Sequence, residues 1–311
     1  MKLLQLFCDV DDFCKEFYPM WNQNMIAHKM AKRIKPSRLH PSEVITIVIH
    51  FHQSSYRTFK AYYIEHVKVN LKSQFPKLVS YSRFVELMAE VLIPLCQFLN
   101  TRKGKSSGVS YIDSTPIAVC HNKRIYRHKV FDGLAQRGKS SMGWFYGFKL
   151  HLIVNDKGEL LAFCFTPGNV DDRNPVPQMA RDLGGLLFGD KGYISQKLFE
   201  LLCEKGLKLI TTVRKNMKNR LMTAVEKVLL RKRSLIETIN DQLKNISQIE
   251  HSRHRSVKNF MVNLVAALIA YSYQEKKPSL KLNSNELILP KIYNALLFET
   301  YSFHHLLTQL F

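Results

Sequence analysis

The sequence predicts an α/β fold in which a mixed sheet flanked by helices follows an all-helical N-terminal domain. Three observations support this prediction. Residues 1–100 repeat apolar side chains at helical spacing and contain no glycine. A polar linker with glycine and serine occupies residues 101–108. From residue 109 onward, three strand-like segments are followed by strands that alternate with helices.

The helical domain contains one ambiguous segment, VITIVIHF, at residues 44–51. Its β-branched residues would suit a strand, but its helical surroundings favour a buried helix that starts near Ser42 and Glu43. Residues 73–84 then supply a turn and the start of another helix, which extends to about Asn100.

The sheet begins with residues 109–119, where Pro116 predicts a bend or bulge inside the strand. Residues 147–169 predict a hairpin with its turn at Asn-Asp-Lys-Gly. The later elements are a short helix at 174–183, a strand at 186–190, a helix at 195–206 closed by Gly206, a strand at 208–213 and a basic, then helical, segment at 214–245. This order is that of the ribonuclease-H-like fold.

The charge of the chain is strongly positive, with 46 Lys and Arg against 25 Asp and Glu and a pI near 9.7. A polyanionic partner, most commonly nucleic acid, explains such a balance best. Ribosome association and a composition bias of the genome remain alternatives.

Several classes of protein are disfavoured. The six cysteines form no CxxC pair, which argues against a disulfide framework or a zinc site. The N-terminus carries acids directly after a short apolar stretch and makes a poor signal peptide. The apolar stretch at 261–273 is too short to span a bilayer. We therefore expect a cytoplasmic, nucleoid-associated protein with no membrane partner.

Two acids stand where strands of this fold should meet. Asp113 lies on the first strand. Asp190 directly follows the apolar residues LLFG in the stretch LLFGDKGY at residues 186–193. If the first and fourth strands are neighbours, the two carboxylates converge, and like charges so close require a cation. Oxygen ligands favour Mg²⁺, or Mn²⁺, and two such ions can clamp a phosphodiester displacement.

A helix over residues 231–249 offers a third acid. Arg233, Glu237 and Lys244 share one face, and Asp241 is the main rival of Glu237 as third ligand. The opposite, core-facing side comprises Leu235, Ile239, Leu243 and Ile246.

Each of these acids also has an ordinary structural interpretation. Asp113 could cap a turn, Asp190 could be a loop acid, and Arg233 with Glu237 could form a surface pair. Asp171 and Asp172 could be ligands instead, but they follow the third strand, so turn or capping roles are favoured.

The chain resembles the DDE transposases of bacterial insertion sequences, most closely insertion-sequence family 982. The matching stretches are DDFCKEF, SSYRTFKAYY, LVSYSRFVEL, YIDSTPIAVC, GFKLHLIVNDKGELLAF, TPGNVDDR, LFGDKGYIS and RSLIETINDQLK, and they span residues 8–275. Related families carry the signature Tyr-x2-Arg-x3-Glu-x6-Lys, which Arg233, Glu237 and Lys244 fit, with Leu230 in place of the tyrosine.

The resemblance implies a metal-binding catalytic triad of Asp113, Asp190 and Glu237. It also implies phosphate contacts by Arg233 and Lys244, and Lys191 is placed to face a phosphate too. The implied reaction is Mg²⁺-dependent hydrolysis at the ends of the element, followed by transesterification in which the freed 3′-hydroxyl attacks target DNA. No protein nucleophile is needed. A catalytically inactive DNA-binding descendant and a nuclease without strand transfer are the alternatives.

The resemblance also implies that the helical domain, residues 1–100, recognises terminal inverted repeats, with a homodimer or larger assembly on DNA. Basic residues suited to backbone contacts are Lys29, Lys32, Arg33, Lys35 and Arg38 in that domain, then Lys123, Arg124, Arg127 and Lys129, with a weaker cluster at 215–220. Tyr126 is available to stack on a base. A solvated basic face is the alternative for the first cluster.

The catalytic domain is predicted at residues 109–275. Residues 276–311 form an atypical apolar tail, which could be an added helical hairpin, an oligomerisation surface or translated sequence beyond the original end.

Overall fold

The computed structural model describes residues 3–29, 37–212, 222–250 and 255–280. The chain forms two compact units that interleave along the sequence. Within the described residues, the helical unit comprises 3–29, 37–102, 129–131, 242–250 and 255–275, and the sheet unit comprises 103–128, 132–212, 222–241 and 276–280. The linear boundaries predicted at 100, 108 and 275 do not follow this interleaving, since residues 242–275 group with the N-terminal helices.

The helices are distributed over both units. Their bounds are α1 Leu3–Ala27, α2 Pro41–Phe51, α3 Phe59–Ala61, a π-helix Tyr62–Val67, α4 Lys68–Asn70, α5 Tyr81–Glu90, α6 Leu92–Thr101, a 3₁₀ helix Asn122–Arg127, α7 Val176–Met179, a 3₁₀ turn Lys191–Tyr193, α8 Gln196–Cys203, α9 Ala224–Arg231, α10 Ser234–Asn245 and α11 Val257–Ser272.

The helical unit is organised around α11, which is apolar on most of its surface and packs against α2, α5 and α6. The side chain of Asn259 donates to the Val85 carbonyl at 3.2 Å, and the Tyr273 hydroxyl donates to Asp9 at 2.8 Å. Because α11 is buried among other helices, its apolar composition reflects a core position.

The ambiguous segment VITIVIHF is helical, as predicted. The α2 helix starts at Pro41, slightly earlier than expected, because His40 caps it through a bond from the Ser42 amide while Glu43 accepts from the His40 amide. This capping box and the proline at the first turn define the start, and Ile45, Ile47 and Ile49 are fully buried.

The sheet unit contains a six-stranded mixed sheet. Its strands are β1 Val109–Cys120, β2 Gln136–Ser140, β3 Gly143–Asn155, β4 Leu160–Pro167, β5 Gly185–Gly189 and β6 Leu207–Thr211. Their order is β2-β3-β1-β5-β6, with β4 also paired to β3. The β1–β3, β2–β3 and β3–β4 pairs are antiparallel, whereas β1–β5 and β5–β6 are parallel. The predicted ribonuclease-H-like mixed sheet with flanking helices is confirmed.

Two details of the sheet differ from simple expectation. The β2 strand lies inside the basic stretch after β1 and was not predicted, since QRGKS lacks the apolar alternation of a strand. The irregularity expected from Pro116 occurs slightly later, as a register shift between Ala118 and Cys120.

In its described residues, from 222 onward, the segment after β6 contains two helices rather than one. The α9 helix ends at Arg231, and α10 starts at Ser234, so Arg233 lies in the intervening turn. Of the predicted core face, Leu235, Ile239 and Leu243 are buried, but Ile246 is exposed. Its docking was predicted wrongly, because α10 ends at Asn245 and the helical spacing no longer applies beyond it.

Both faces of β1 and β5 are covered. On one face Ile112 and Leu187 belong to an apolar core formed with α7 and α8. On the other face the rings of Tyr111 and Phe188 stack at 5.3 Å, and the Tyr111 hydroxyl donates to the Leu229 carbonyl at the end of α9. Burying each such side chain contributes about 2 kcal/mol, so the ends of these two strands are held firmly.

All six cysteines are free thiols, and Cys8 is exposed. Within the described residues no single helix is long and apolar enough to cross a membrane, although α5 and α6, bent by 58° at their junction, together reach that length and composition.

Candidate active site

The parallel pairing of β1 with β5 brings the two predicted aspartates together. The register aligns Val109 with Leu186 and Tyr111 with Phe188. Asp113 lies two residues after Tyr111 within β1, and Asp190 lies two residues after Phe188, directly after the end of β5. The register therefore directs both aspartates toward the same place, and the Asp190 carboxylate contributes to the raised pKa of Asp113. Neighbouring strands are about 4.8 Å apart, which is a separation that one cation could bridge.

Asp190 starts a tight turn directly after β5. Its Oδ1 accepts from the Gly192 amide at 2.8 Å and caps the 3₁₀ turn Lys191–Tyr193. A Cβ at Gly189 would lie 3.0 Å from the Tyr193 ring, and one at Gly192 would lie 3.0 Å from Asp190 Oδ1. The two glycines therefore make room inside the turn itself, which fixes the direction of the Asp190 carboxylate.

Asp113 is largely buried and is contacted from α10. The Asn240 side-chain amide donates to Asp113 Oδ2 at 3.0 Å, while Asn240 Oδ1 is buried without a hydrogen-bond partner. Sequence reasoning missed Asn240 and considered Asp241, which is exposed. The available signal was its spacing, since Asn240 lies three residues after Glu237 and therefore on a neighbouring part of the helix surface.

Glu237, on α10, forms an ion pair with Arg233, which directly precedes that helix. Arg233 Nη2 donates to Glu237 Oε1, in the i, i+4 arrangement, and the Glu237 side chain is 53% exposed. Arg233, in the turn between α9 and α10, is less exposed, at 21%.

The electrostatics of Asp113 connect all of these groups. Burial raises the pKa of the Asp113 carboxyl to about 6 from an ordinary value of 3.8. The Arg233 guanidinium opposes that rise, and the carboxylates of Asp190 and Glu237 add to it. Three acids and one arginine therefore share a single electrostatic environment.

The residues present fit a divalent cation between Asp113, within β1, and Asp190, directly after β5. Mg²⁺ takes hard oxygen ligands and often binds through only one or two carboxylates with several waters. Asp113 and Asp190 supply the carboxylates, and the unpartnered Asn240 Oδ1 lies beside them. No group of three or more His, Cys, Asp or Glu side chains in the described ranges is close enough to hold a metal, so Glu237 is not assembled with them as a third ligand.

The rival acids Asp171 and Asp172 each pair with a basic side chain. Asp171 accepts from the backbone and side chain of Arg173, and Arg173 also donates to the Ile194 carbonyl at 3.3 Å. Asp172 forms an ion pair of 2.9 Å with Lys149. Asp171 is thus a turn acid, and the Arg173 bond links the turn after β4 to the turn that follows Asp190.

The predicted DNA-contact residues lie at several places. Lys123, Arg124 and Arg127 are exposed on the 3₁₀ helix Asn122–Arg127 of the sheet unit. Exposed lysines and arginines elsewhere are Lys29, Arg38, Lys129 and Lys191. Lys244 forms a 2.9 Å pair with Glu250. Residues Lys32, Arg33 and Lys35 and the segment 215–220 lie outside the described residues.

Comparison with known protein families identifies one match in the chain. Residues 103–257 match the family model described as a transposase DDE domain, and this range includes Asp113, Asp190 and Glu237. No curated protein and no solved structure matches the chain. Transposases of this kind bind DNA and generally use divalent metals. The resemblance to insertion-sequence family 982 in particular stays a prediction. Over residues 103–257 the chain therefore carries a DDE-type transposase domain.

Proposed function

We propose that the protein is the transposase of an insertion sequence, which cleaves DNA at terminal inverted repeats and joins the freed ends to target DNA. The observation that carries this proposal is the β1–β5 register, which directs Asp113, within β1, and Asp190, directly after β5, toward the same place. The match of the surrounding residues to a transposase DDE domain supports it.

Asp113 and Asp190 would hold the divalent cation, Mg²⁺ or Mn²⁺, and Asn240 would orient the Asp113 carboxylate through its amide. When bound, such a cation lowers the pKa of water and stabilises negative charge on phosphate oxygens. Glu237 would complete the site on exchanging its Arg233 partner for the cation. Arg233, which is now bonded to Glu237, would then be free to contact a phosphate.

DNA would be held by basic side chains near the site. Lys191 directly follows Asp190, and Lys244 lies on the same helix as Glu237. Phosphate contacts of this kind fix the position of the backbone without reading sequence. We assign recognition of the inverted repeats to the helical unit, and we expect a homodimer or larger assembly on DNA, acting at the bacterial nucleoid.

The proposed reaction has two phosphoryl-transfer steps. Water first displaces the 3′-oxygen at the end of the element, which leaves a free 3′-hydroxyl. That hydroxyl then attacks a phosphate of the target DNA, and the leaving 3′-oxygen of the target takes up the proton. Because each attacking oxygen comes from water or DNA, the protein needs no serine or tyrosine nucleophile.

The test is an assay of cleavage and strand transfer on DNA that carries the inverted repeats flanking the gene. We expect wild type to cleave and join in Mg²⁺ and Asp190→Asn to do neither. Absence of metal-dependent cleavage by wild type would overturn the enzyme proposal. Cleavage without joining would indicate a nuclease that lacks strand transfer.

One observation favours a second candidate, a DNA-binding protein that no longer catalyses. Glu237 is bonded to Arg233, and no third acid is grouped with Asp113 and Asp190 in the described part of the chain. This candidate predicts DNA binding without cleavage at any metal concentration, so the same assay distinguishes the two.

A further inference from the structure

The sheet unit exposes a surface of large apolar and basic side chains away from the two aspartates. It is formed by the 3₁₀ helix Asn122–Arg127 and by the hairpin of β2 with the start of β3, and we call it the hairpin surface. Three large apolar side chains on it are unusually exposed: Tyr126 at 72%, Met142 at 94% and Trp144 at 61%. Exposed apolar side chains concentrated in this way mark a binding surface.

The hairpin surface is a fixed platform. The Asn122 side chain donates to the Trp144 carbonyl at 2.7 Å, which joins the 3₁₀ helix to the hairpin. A Cβ at Gly147 would overlap the Ile117 carbonyl oxygen, so β3 lies tightly against β1 at the base of the hairpin. Gly143 takes a φ of +112° at the hairpin turn, a conformation that favours glycine.

The charge of this surface is positive throughout. Its exposed cations are Lys123, Arg124, Arg127, Arg137 and Lys139. Two of them lie against the aromatic rings, with Lys139 Nζ at 5.8 Å from the Trp144 ring centre and Arg127 at 5.3 Å from that of Tyr126. Cations interleaved with exposed rings are the arrangement that binds unpaired nucleic acid, since rings stack on bases while cations contact phosphates.

Protection of the sheet edge does not account for this surface. Lysine and arginine on an edge strand such as β2 do discourage pairing with other chains. That role explains Arg137 and Lys139, but an exposed tryptophan and an exposed methionine at the tip have the opposite effect. The apolar side chains therefore require an apolar partner that also carries negative charge, and unpaired DNA bases provide both.

The distance to the aspartates fits contact with the same DNA molecule. Asp113 pairs with Leu152 on β3, eight residues from Trp144. At about 3.3 Å per residue the hairpin lies about 26 Å along the strand from that point. This length corresponds to roughly eight nucleotides at about 3.4 Å each.

We propose that the hairpin surface binds unpaired nucleotides of the DNA substrate, with Trp144 and Tyr126 stacking on bases and the five cations neutralising the backbone. The inference rests on the proposed action on DNA and adds to it a second contact, removed from the cleavage site. It gives the chain a means to hold DNA whose strands have separated beside the element end.

Tryptophan fluorescence tests the contact directly. The chain has two tryptophans, Trp21 and Trp144, so Trp21→Phe leaves Trp144 as the sole reporter. Trp21 stacks on Phe17 in the helical unit, and phenylalanine preserves that contact. We expect the Trp144 emission to be quenched by an oligonucleotide with an unpaired thymidine tail, because stacking on a base quenches indole.

Affinity supplies the second arm, measured by anisotropy of the labelled tailed oligonucleotide and of a fully paired duplex. We expect Trp144→Ala to weaken binding of the tailed oligonucleotide about 10-fold and that of the duplex less than about 2-fold, with Trp144→Phe near wild type. Unchanged Trp144 emission at saturating DNA, or equal loss on both oligonucleotides, would overturn the inference.

The outcomes separate this inference from the proposed catalysis. Asp190→Asn should leave the Trp144 quenching intact, since Asp190 is not on the hairpin surface. Cleavage by wild type without quenching would remove only the hairpin inference. Quenching without any cleavage would remove only the catalytic proposal. Since Trp144 is exposed, its substitution should leave the thermal unfolding of the chain unchanged.

Discussion

The two parts of the candidate site are held by different physical means. Asp113 and Asp190 are attached to central strands whose backbones pair in register and whose faces are covered. Glu237 is on α10, a helix that begins after a break, with its side chain half exposed and bonded to Arg233. The two aspartates are thus held by strand pairing, whereas Glu237 is held by an ion pair with an arginine.

This difference bears on the cost of holding several acids close together in the proposed site. Three close carboxylates would repel one another strongly with no cation present. Here the pair on the sheet is kept, while the third acid is neutralised by an arginine. We infer that assembly of the complete site is coupled to the arrival of metal and DNA.

The largest effect should come from the sheet part. Asp190→Asn should lower the rate of Mg²⁺-dependent cleavage by about 1,000-fold, because a carboxylate ligand to the cation is lost. An asparagine oxygen can still accept from the Gly192 amide, so the turn should persist. Single-turnover cleavage of an inverted-repeat oligonucleotide measures this.

The matched control is Asp182→Asn. Asp182 is a strongly exposed acid of the same unit, paired with Arg181. The Asp182→Asn variant should cleave at the wild-type rate. Equal losses of cleavage rate in both variants would mean that removal of any negative charge from this unit has the same effect, and that Asp190 has no specific role.

The helix part should give a smaller loss. Glu237→Gln should lower cleavage by about 100-fold if Glu237 joins the cation in the active complex, while Asp241→Asn should be near wild type. Measurement of both variants at increasing Mn²⁺ tests ligation, because a weakened metal site is partly restored by more metal. A loss of cleavage in Asp241→Asn with none in Glu237→Gln would make Asp241, and not Glu237, the third ligand.

Stability without metal should reveal the cost of the buried carboxylate. The folded-state pKa of Asp113 is about 6, above its ordinary value of 3.8. The folded state therefore binds the proton more tightly, and the free energy of unfolding should fall as pH rises from about 4 to 6 and level off above that range. The total fall should be about 3 kcal/mol.

Asp113→Asn isolates this contribution. In EDTA at pH 7.5 the variant should be more stable than wild type by up to about 3 kcal/mol, and the difference should vanish near pH 4. Denaturant unfolding across the pH range measures it. A wild-type protein that gains stability between pH 4 and 6 relative to Asp113→Asn would contradict the account.

The smallest effect concerns Arg233. In the metal-free protein Arg233→Gln should cost less than about 1 kcal/mol, because an i, i+4 pair at the surface contributes little. It should also raise the pKa of Asp113 further, since the guanidinium opposes the effect of burial. NMR titration of the Asp113 carboxyl would detect the shift. A pKa of Asp113 that is lower in Arg233→Gln than in wild type would mean that the guanidinium does not stabilise the Asp113 carboxylate.

The sheet part could be read from the sequence because its determinants are local. The apolar run before Asp190 and the strand pattern around Asp113 define two strands, and the element order then makes them neighbours. In a parallel pair, residues at equal distances along the strands face the same way. These facts suffice to bring the two aspartates together.

The part of the site on α10 could not be predicted as fully from the sequence. The break between α9 and α10 follows from tertiary packing, and no proline or glycine in the sequence marks it. Asn240 was missed because an asparagine on a helix carries no catalytic signature until its contact with Asp113 is known. The β2 strand was missed for the same reason, since pairing with β3 rather than its own residues makes it a strand.

The measurement that tests the central claim most directly is the binding of Mn²⁺ to the DNA-free protein, detected by calorimetry or electron paramagnetic resonance. The account predicts saturable binding by wild type and Asp182→Asn that is lost in both Asp113→Asn and Asp190→Asn. Equal binding by all four proteins would contradict the claim that Asp113 and Asp190 hold the metal.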